Sequence, residues 1–249
     1  MAEDKKMTVR AAERALDILL CFVDQPELGL TEIAHRTSIN KSTVFRLLAT
    51  LESKGFVVRN PDTEKYKLGF RVWELAANMD HSDDPAVLFL PEMERLRDQV
   101  DETVSLYIRD GLERIRVQAV ESRQTIRRVA PIGARMPLSV GASSKVLVAY
   151  ADPIVQKEVL ADPHWPPTVD RERYQKQLEE IRKTGYAISV EEREAGTSAI
   201  AVPIFNREGR IVAALAVSGP VGRWTPDRMT QFAPLITAAA ERMGKMLRK

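Results

Sequence analysis

One segment of the sequence, residues 31–68, constrains the fold more strongly than any other. It reads TEIAHRTSINKSTVFRLLATLESKGFVVRNPDTEKYKL. Four apolar residues in it follow the spacing i, i+3, i+4 and i+7 of one helix face: Val44, Leu47, Leu48 and Leu51. We therefore predict a helix from about Asn40 to Lys54, because Asn40 is a favourable N-cap and Gly55 a favourable stop.

The elements on either side complete a recognisable motif. Upstream, Thr31 is expected to cap a short helix that ends at His35 or Thr37, and a tight turn at residues 38–40 joins it to the next helix. Downstream, two short β-prone runs, 57–59 and 65–68, flank a connection rich in turn residues. This order predicts a winged helix-turn-helix, with the hairpin as the wing.

The outer face of the longer helix is small and polar and carries one guanidinium. Ser42 and Arg46 lie opposite the apolar stripe, with Thr43 beside them. Hydroxyl groups can donate to or accept from base edges in the major groove, and arginine can bind guanine with two hydrogen bonds. We therefore predict that Ser42, Thr43 and Arg46 contact bases.

Positive charge is concentrated around this motif. Between residues 35 and 71 there are eight Lys or Arg and three acidic residues, whereas residues 1–80 contain twelve of each sign. Such a patch can neutralise DNA phosphates. The predicted phosphate contacts are Lys41, Arg59, Lys65 and Lys67, and Thr31 is also a candidate DNA-binding residue. The alternative is a solvated basic face on a winged helix that binds protein.

Composition excludes several other classes of protein. The 249-residue chain has a net charge of +2, too small to explain nucleic-acid binding as a bulk effect. A single cysteine, Cys21, rules out an internal disulfide and is expected to be a small core side chain. His35, His81 and His164 lack metal-ligand spacing, so we predict neither a metal nor a cofactor. No leader or long apolar run is present, which predicts a cytoplasmic protein without membrane contact.

Two helices of the N-terminal region carry apolar stripes wider than one core-facing side requires. They are predicted at 9–23 and 70–79. The second, about 15 Å long, could act as a spacer between domains. Burial in the core and contact in a dimer are both consistent with these patterns.

A break at residues 81–85 marks a domain boundary, after which strands and helices alternate. We predict strands at 103–109, 113–121, 125–130, 186–190, 198–205 and 210–218. Helices are expected at 85–100, 142–151, 154–160, 171–184 and from Thr225-Pro226 to the C-terminus. This mixture predicts an α+β domain with a largely antiparallel sheet.

Three stretches resemble the IclR family of bacterial transcription regulators: GYAISVEEREAGTSAIAVPIFN at 185–206, MPLSVGASSKVLVAY before the middle helix, and ALAVSGP at 214–220. The first matches the family signature at each constrained position: Gly185, Ser189, Glu192, Ala199, Ile200, Ala201, Ile204, Phe205 and Asn206. The resemblance covers nearly all of residues 8–249. It implies a winged helix-turn-helix domain at 8–69, a linker helix at 70–83 and a GAF-like α+β effector-binding domain at 84–249.

The resemblance also implies a function. A homodimer or homotetramer would bind a palindromic double-stranded operator, with repression the expected outcome, and would respond to a small organic acid effector. The implied effector-binding residues are Gly141, Ala142, Ser189, Ala199, Ala216 and Ser218. Free N–H groups at the start of the helix after Gly141 would suit an anion.

Two of these positions bear on the choice of effector. Family members that bind small keto acids often carry Asp where Ser189 stands and Cys where Ala199 stands. The smaller side chains here predict a roomier, more apolar pocket and a bulkier acid, with aromatic acids among the candidates.

Two other functions are compatible with parts of the sequence. Glu191, Glu192 and Glu194 form an acidic cluster, but no nucleophile or base lies at a useful spacing, so we interpret them as structural or solvated and assign no catalytic residue. The alternative is an enzyme that converts a small acid and uses the winged domain for assembly. A third hypothesis, a chromatin-like protein, predicts equal affinity for operator and random DNA.

Overall fold

The chain divides into two units, residues 1–80 and 81–249, each with its own hydrophobic core. The computed structural model describes residues 8–23, 25–77, 84–129 and 131–247. None of the helices in these ranges is long and apolar enough to cross a membrane.

The N-terminal unit is a winged helix-turn-helix, as the sequence predicts. Its elements are α1 (Arg10–Leu20), α2 (Leu30–Thr37), α3 (Lys41–Ser53), β1 (Val57–Arg59), β2 (Tyr66–Leu68) and α4 (Phe70–Ala77). The predicted stripe of α3 faces the core, where Val44 and Leu48 are fully buried. The wing strands β1 and β2 pair antiparallel, with Val57 opposite Leu68.

The start of α2 differs from the prediction. The helix begins after Gly29, whose N–H donates to the Glu32 carboxylate at 2.7 Å. Thr31 is therefore exposed in the first turn and is not the cap, because the acidic residue beside it binds the helix-start backbone instead. The first helix is also shorter than the predicted 9–23, since residues 21–23 form a turn.

Helix α4 has no buried residue within this chain. Phe70 and Trp73 are 67% and 63% exposed, and their rings stack at a centroid distance of 5.1 Å. Burial of this helix in the core of its own unit is therefore wrong, whereas dimer contact stays a prediction. The end of the predicted helix, at Met79, lies outside the described residues.

The C-terminal unit is an α+β domain. Its helices are α5 (Pro85–Leu88), α6 (Leu90–Val100), α7 (Ala142–Ala149), α8 (Pro153–Leu160), α9 (Arg171–Thr184) and α10 (Pro226–Met246). Its strands are β3 (Thr103–Asp110), β4 (Glu113–Val120), β5 (Arg135–Pro137), β6 (Ala187–Val190), β7 (Thr197–Phe205) and β8 (Ile211–Pro220). They form a six-stranded sheet in the order β5-β4-β3-β8-β7-β6, and every neighbouring pair is antiparallel.

Helices cover both faces of this sheet. On one face, α6 and α10 pack against large side chains such as Ile200 and Leu215. On the other face, α7 packs against small ones, including Ala201, Ala214 and Ala216, and α9 packs on α7. Because alternate residues of a strand face opposite sides, the small residues bring α7 close to the sheet and leave the space for a cavity at its start.

Two predictions for this unit need correction. The single helix expected at 85–100 is interrupted at Phe89, so two helices form. Residues 125–129 form no strand, because the carbonyl groups there accept side-chain donors: Thr103 binds the Arg128 carbonyl at 2.8 Å, and Arg223 binds that of Ile126 at 3.0 Å. The last residue of that predicted strand, Ala130, lies outside the described part of the chain.

Candidate nucleic-acid interface and ligand cavity

The outer face of α3 is exposed, as its periodicity predicts. Lys41, Ser42 and Arg46 are exposed, and Thr43 is partly buried. The N-cap is the predicted one, because Asn40 Oδ1 accepts the Thr43 N–H at 2.9 Å and the Ser42 hydroxyl at 3.0 Å. The donor of Ser42 is thus used within the helix cap, while its oxygen can still accept a hydrogen bond.

The wing carries the other predicted cations. Lys65 and Lys67 are exposed on either side of buried Tyr66, as the alternation of a strand requires. Arg59 differs from them because its guanidinium pairs with the Glu64 carboxylate at 2.9 Å. No carboxylate within the described ranges pairs with Lys65 or Lys67.

In the C-terminal unit, one cavity brings together all six residues implied as effector contacts: Gly141, Ala142, Ser189, Ala199, Ala216 and Ser218. The register of the strands explains why four of these residues lie close together. Ser189 pairs with Ala199, and Ala199 pairs with Ser218, so the three form one row across β6, β7 and β8. Ala216 lies two residues along β8 from Ser218, on the same face.

Four arginines that sequence reasoning missed also line the cavity: Arg114, Arg116, Arg128 and Arg193. Backbone carbonyls fix Arg114, because its Nη1 donates to those of Pro137 at 3.0 Å and Val140 at 2.7 Å. Burial lowers the pKa of the Arg114 guanidinium to about 10. It therefore remains a cation at neutral pH.

Arg116 is held by an aromatic neighbour. Its Nε and Nη2 donate to the Tyr107 hydroxyl at 3.0 Å and 2.5 Å. Arg114 and Arg116 are 3% and 1% exposed and project from the same face of β4, since one residue separates them. The alternation Arg-Ile-Arg in the sequence is the signal that could have identified them.

The start of α7 has a particular geometry at Gly141. Its φ is +92°, and a Cβ there would lie 3.1 Å from Nη2 of Arg114, so glycine is needed for both conformation and space. The N–H of Gly141 is not free, contrary to the prediction. It donates to Oε2 of Glu192 at 3.0 Å.

The acidic cluster contributes two ion pairs to the cavity wall. Glu192 Oε1 lies 2.5 Å from Nζ of Lys145, whose side chain is 4% exposed. Glu194 pairs with Arg128. Both carboxylates therefore have structural partners, in keeping with their interpretation as structural.

The cavity is small. Its volume is about 50 Å³. The prediction of a roomy pocket is therefore wrong for this conformation, because arginines and glutamates fill the space beside the small Ser189 and Ala199. The apolar character of the pocket stays a prediction. Two buried polar atoms on the wall, Ser218 Oγ and Arg114 Nε, have no hydrogen-bond partner among the described residues.

Other chemical groups of the chain have ordinary environments. The described residues contain no cluster of three His, Cys, Asp or Glu that could hold a metal ion. Cys21 is partly buried against the N-terminal core, and its thiol donates to the Asp17 carbonyl at 3.3 Å.

Together, the two units define a class of protein: a winged helix-turn-helix joined to an α+β domain with an arginine-lined cavity. Comparison with known proteins identifies the class further. Residues 11–61 match the IclR helix-turn-helix domain, and residues 81–245 match the C-terminal domain of the bacterial transcriptional regulator IclR. The chain belongs to the IclR family and is a DNA-binding transcription regulator rather than an enzyme.

Individual relatives cover most of the chain. The HTH-type transcriptional regulator KdgR of Escherichia coli is 29% identical over 96% of this chain and 93% of its own length. The HTH-type transcriptional repressor AllR of the same species is 30% identical over 88% of this chain and 83% of its own. A crystal structure of an IclR homolog from Microbacterium hydrocarbonoxydans in complex with 4-hydroxybenzoate has a TM-score of 0.82 and 27% identity, covering 96% of this chain and 99% of that one.

Proposed function

We propose that this regulator is a ligand-responsive repressor that binds a palindromic operator as a homodimer or homotetramer in the cytoplasm and responds to a small organic acid. The proposed domains are 8–69 for DNA binding, 70–83 as linker and 84–249 for the effector. A relative named as a repressor supports the sign of regulation, and a structural neighbour with a bound aromatic acid supports the effector class.

The proposed DNA contacts divide into two groups. Ser42, Thr43 and Arg46 would contact bases from α3, and the exposed cations Lys41, Lys65 and Lys67 would contact phosphates. Thr31 and the ion-paired Arg59 are secondary candidates for phosphate contact. A helix-turn-helix dimer would read two half-sites about 34 Å apart or a multiple of that distance.

The observation that carries the effector proposal is the pair of unsatisfied polar atoms on the wall of the cavity. Buried polar groups in folded proteins nearly always have partners, so Ser218 Oγ and Arg114 Nε mark places where a ligand atom can bind. Both lie beside the start of α7, where backbone N–H groups and the helix dipole favour an anion.

Exposed apolar side chains support assembly. Phe70 and Trp73 of α4 present a stacked pair of rings to solvent in the single chain. Contact between copies of α4 would bury them, and it would let an effector alter the spacing of the two DNA-binding domains. An effector can do so only if it binds the two arrangements with different affinity.

Thermal unfolding with a panel of acids tests the effector proposal. The panel is 4-hydroxybenzoate, benzoate, pyruvate and succinate, with 4-hydroxybenzamide as the uncharged control. A ligand at 100 times its dissociation constant adds about 2.7 kcal/mol of stability, a shift that is easily measured. An absence of any shift with acids, combined with a shift by nucleotides or metal ions, would refute the acid effector.

Fluorescence anisotropy tests the DNA proposal. A site selected by the protein from a random pool should be palindromic and bind more tightly than random DNA, and the acid that shifts the melting temperature should weaken it. Equal affinity for both DNAs would favour the chromatin-like alternative instead.

A further inference from the structure

The cavity as it stands cannot accept a carboxylic acid of the size of benzoate. An apolar cavity of about 150 Å³ is the scale that holds benzene, compared with about 50 Å³ here. Part of the wall must therefore move before such an acid can bind.

The wall is built from strands of the sheet and from one exposed loop. Strands β4, β7 and β8 belong to the middle of the sheet and carry paired backbone groups on both sides. The β6–β7 loop, residues 191–196, is exposed along its whole length, and Glu191 adopts a positive φ of +53° there. A non-glycine residue in this region stores strain, which makes the loop the part that can move at lowest cost.

Side-chain contacts fix this loop against the cavity. Glu192 binds the start of α7 through the Gly141 N–H at 3.0 Å and through Lys145 at 2.5 Å. The carboxylate of Glu192 thus occupies the position that the proposed function gives to the carboxylate of the effector. Two carboxylates in one small site repel each other, because like charges a few ångströms apart interact unfavourably.

We propose that Glu192 is a built-in competitor of the acid effector: an entering carboxylate displaces Glu192 from Gly141 and Lys145 and thereby releases the β6–β7 loop. This inference rests on the proposed function and adds its regulation. The loop connects β6 to β7, so its release is the first structural change that ligand binding makes in the domain. The competition also sets the threshold concentration, because affinity for acids is lowered by the energy needed to displace Glu192.

Calorimetry with E192Q tests the competition. Glutamine removes the competing charge, so E192Q should bind 4-hydroxybenzoate about tenfold more tightly than the wild type. Binding of 4-hydroxybenzamide should change much less, because an uncharged ligand is not repelled by Glu192. E191Q is the matched control, since Glu191 lies in the same loop but binds the Gly196 N–H and is not part of the cavity wall.

A second variant distinguishes the competition from a loss of stability and from a general effect of charge on binding. E192Q leaves the buried Lys145 without its carboxylate, whereas K145Q/E192Q removes the ion pair as a whole and keeps the net charge of the cavity unchanged. Tighter binding of 4-hydroxybenzoate by the double variant would therefore show that the acid binds the start of α7 once Glu192 no longer occupies it. The control E194Q removes a charge from the same wall but leaves Glu192 in place, and it should gain less than E192Q.

Hydrogen exchange follows the loop directly. Amides of residues 191–197 should exchange faster when 4-hydroxybenzoate saturates the wild-type protein. The opposite result is slower exchange together with weaker binding by both E192Q and the double variant. It would show that Glu192 closes over the ligand, and it would overturn the competition while leaving the effector site intact. Failure of every acid of the panel to bind the wild type, E192Q and the double variant would overturn both proposals, whereas binding to the variants alone would support the competition.

Discussion

Both units of this protein collect positively charged side chains, but they hold them in opposite ways. On α3 and the wing, Lys41, Lys65 and Lys67 are exposed and have no carboxylate partner among the described residues. In the cavity, Arg114 and Arg116 are almost completely buried and are fixed by carbonyl and hydroxyl oxygens.

This difference indicates two kinds of anion. Exposed, flexible cations suit a polyanion, because each phosphate contact releases counterions and the affinity depends on salt. Buried arginines held in one orientation suit a single small anion, since their desolvation cost is already met within the fold and salt screens them little. In the proposed function, the same charge thus serves DNA binding in one unit and ligand discrimination in the other.

The largest expected effect comes from removing Arg114, a buried cation held in the cavity wall. R114M should weaken binding of 4-hydroxybenzoate by about 2–5 kcal/mol, because it removes a buried charged hydrogen-bond donor from the site. Isothermal titration calorimetry measures this loss. The substitution also leaves the Pro137 and Val140 carbonyls without their donor, so the melting temperature must be recorded alongside.

The control for this change is R109M. Arg109 lies on the neighbouring strand and is exposed, and within the described part of the chain its side chain binds only the nearby Gly111 carbonyl. The R109M protein should bind the acid as the wild type does. Both R109M and R114M should retain their affinity for DNA in the absence of acid. Undiminished acid binding by a folded R114M would move the effector site elsewhere in the domain.

Local patterns predicted the N-terminal unit almost completely. The stripe that contains Val44 and Leu48, the cap at Asn40 and the wing all follow from residues a few positions apart. The failure at Thr31 is also local: Thr31 and Glu32 compete for the same helix start, and the carboxylate binds the backbone. Burial of α4 was less predictable, because a wide apolar face does not tell whether its partner belongs to the same chain.

The cavity required more than local patterns. Resemblance to a family supplied its small residues, such as Ser189 and Ser218, but it gave no indication of the arginines. Because buried arginines are rare, a strand that carries arginines in the sequence is normally interpreted as an exposed edge strand. The contact that closes the cavity joins Gly141 to Glu192, 51 residues apart in sequence, and only the folded sheet brings them together.

A moderate effect is expected on the base-contacting face of α3. R46A should cost about 1–3 kcal/mol on the selected operator and relax the preference at one base position. Anisotropy with operator variants changed one base pair at a time measures both quantities. K54A, at the exposed C-terminal end of the same helix, should leave the preference at every position unchanged. An unaltered base preference in R46A would mean that another face of α3 enters the groove.

The smallest expected effect is a difference in salt dependence between two cations of the wing, Lys67 and Arg59. Each phosphate contact contributes about 0.9 to the slope of log affinity against log salt concentration. K67A should lower the slope by about that amount for every DNA sequence alike. R59A should lower it less, because Glu64 already neutralises Arg59 at 2.9 Å in the free protein.

The variant E64Q decides whether the ion pair is the reason for this difference. Without the Glu64 carboxylate, Arg59 becomes available to a phosphate, so E64Q should bind all DNA more tightly and have a steeper salt slope. The further loss on adding R59A to E64Q should then match that of K67A. Equal salt slopes for R59A and K67A in the wild-type background would show that DNA displaces Glu64 from Arg59 at no measurable cost. The wing would then differ from the cavity, because no carboxylate of its own would compete with the anion that it binds.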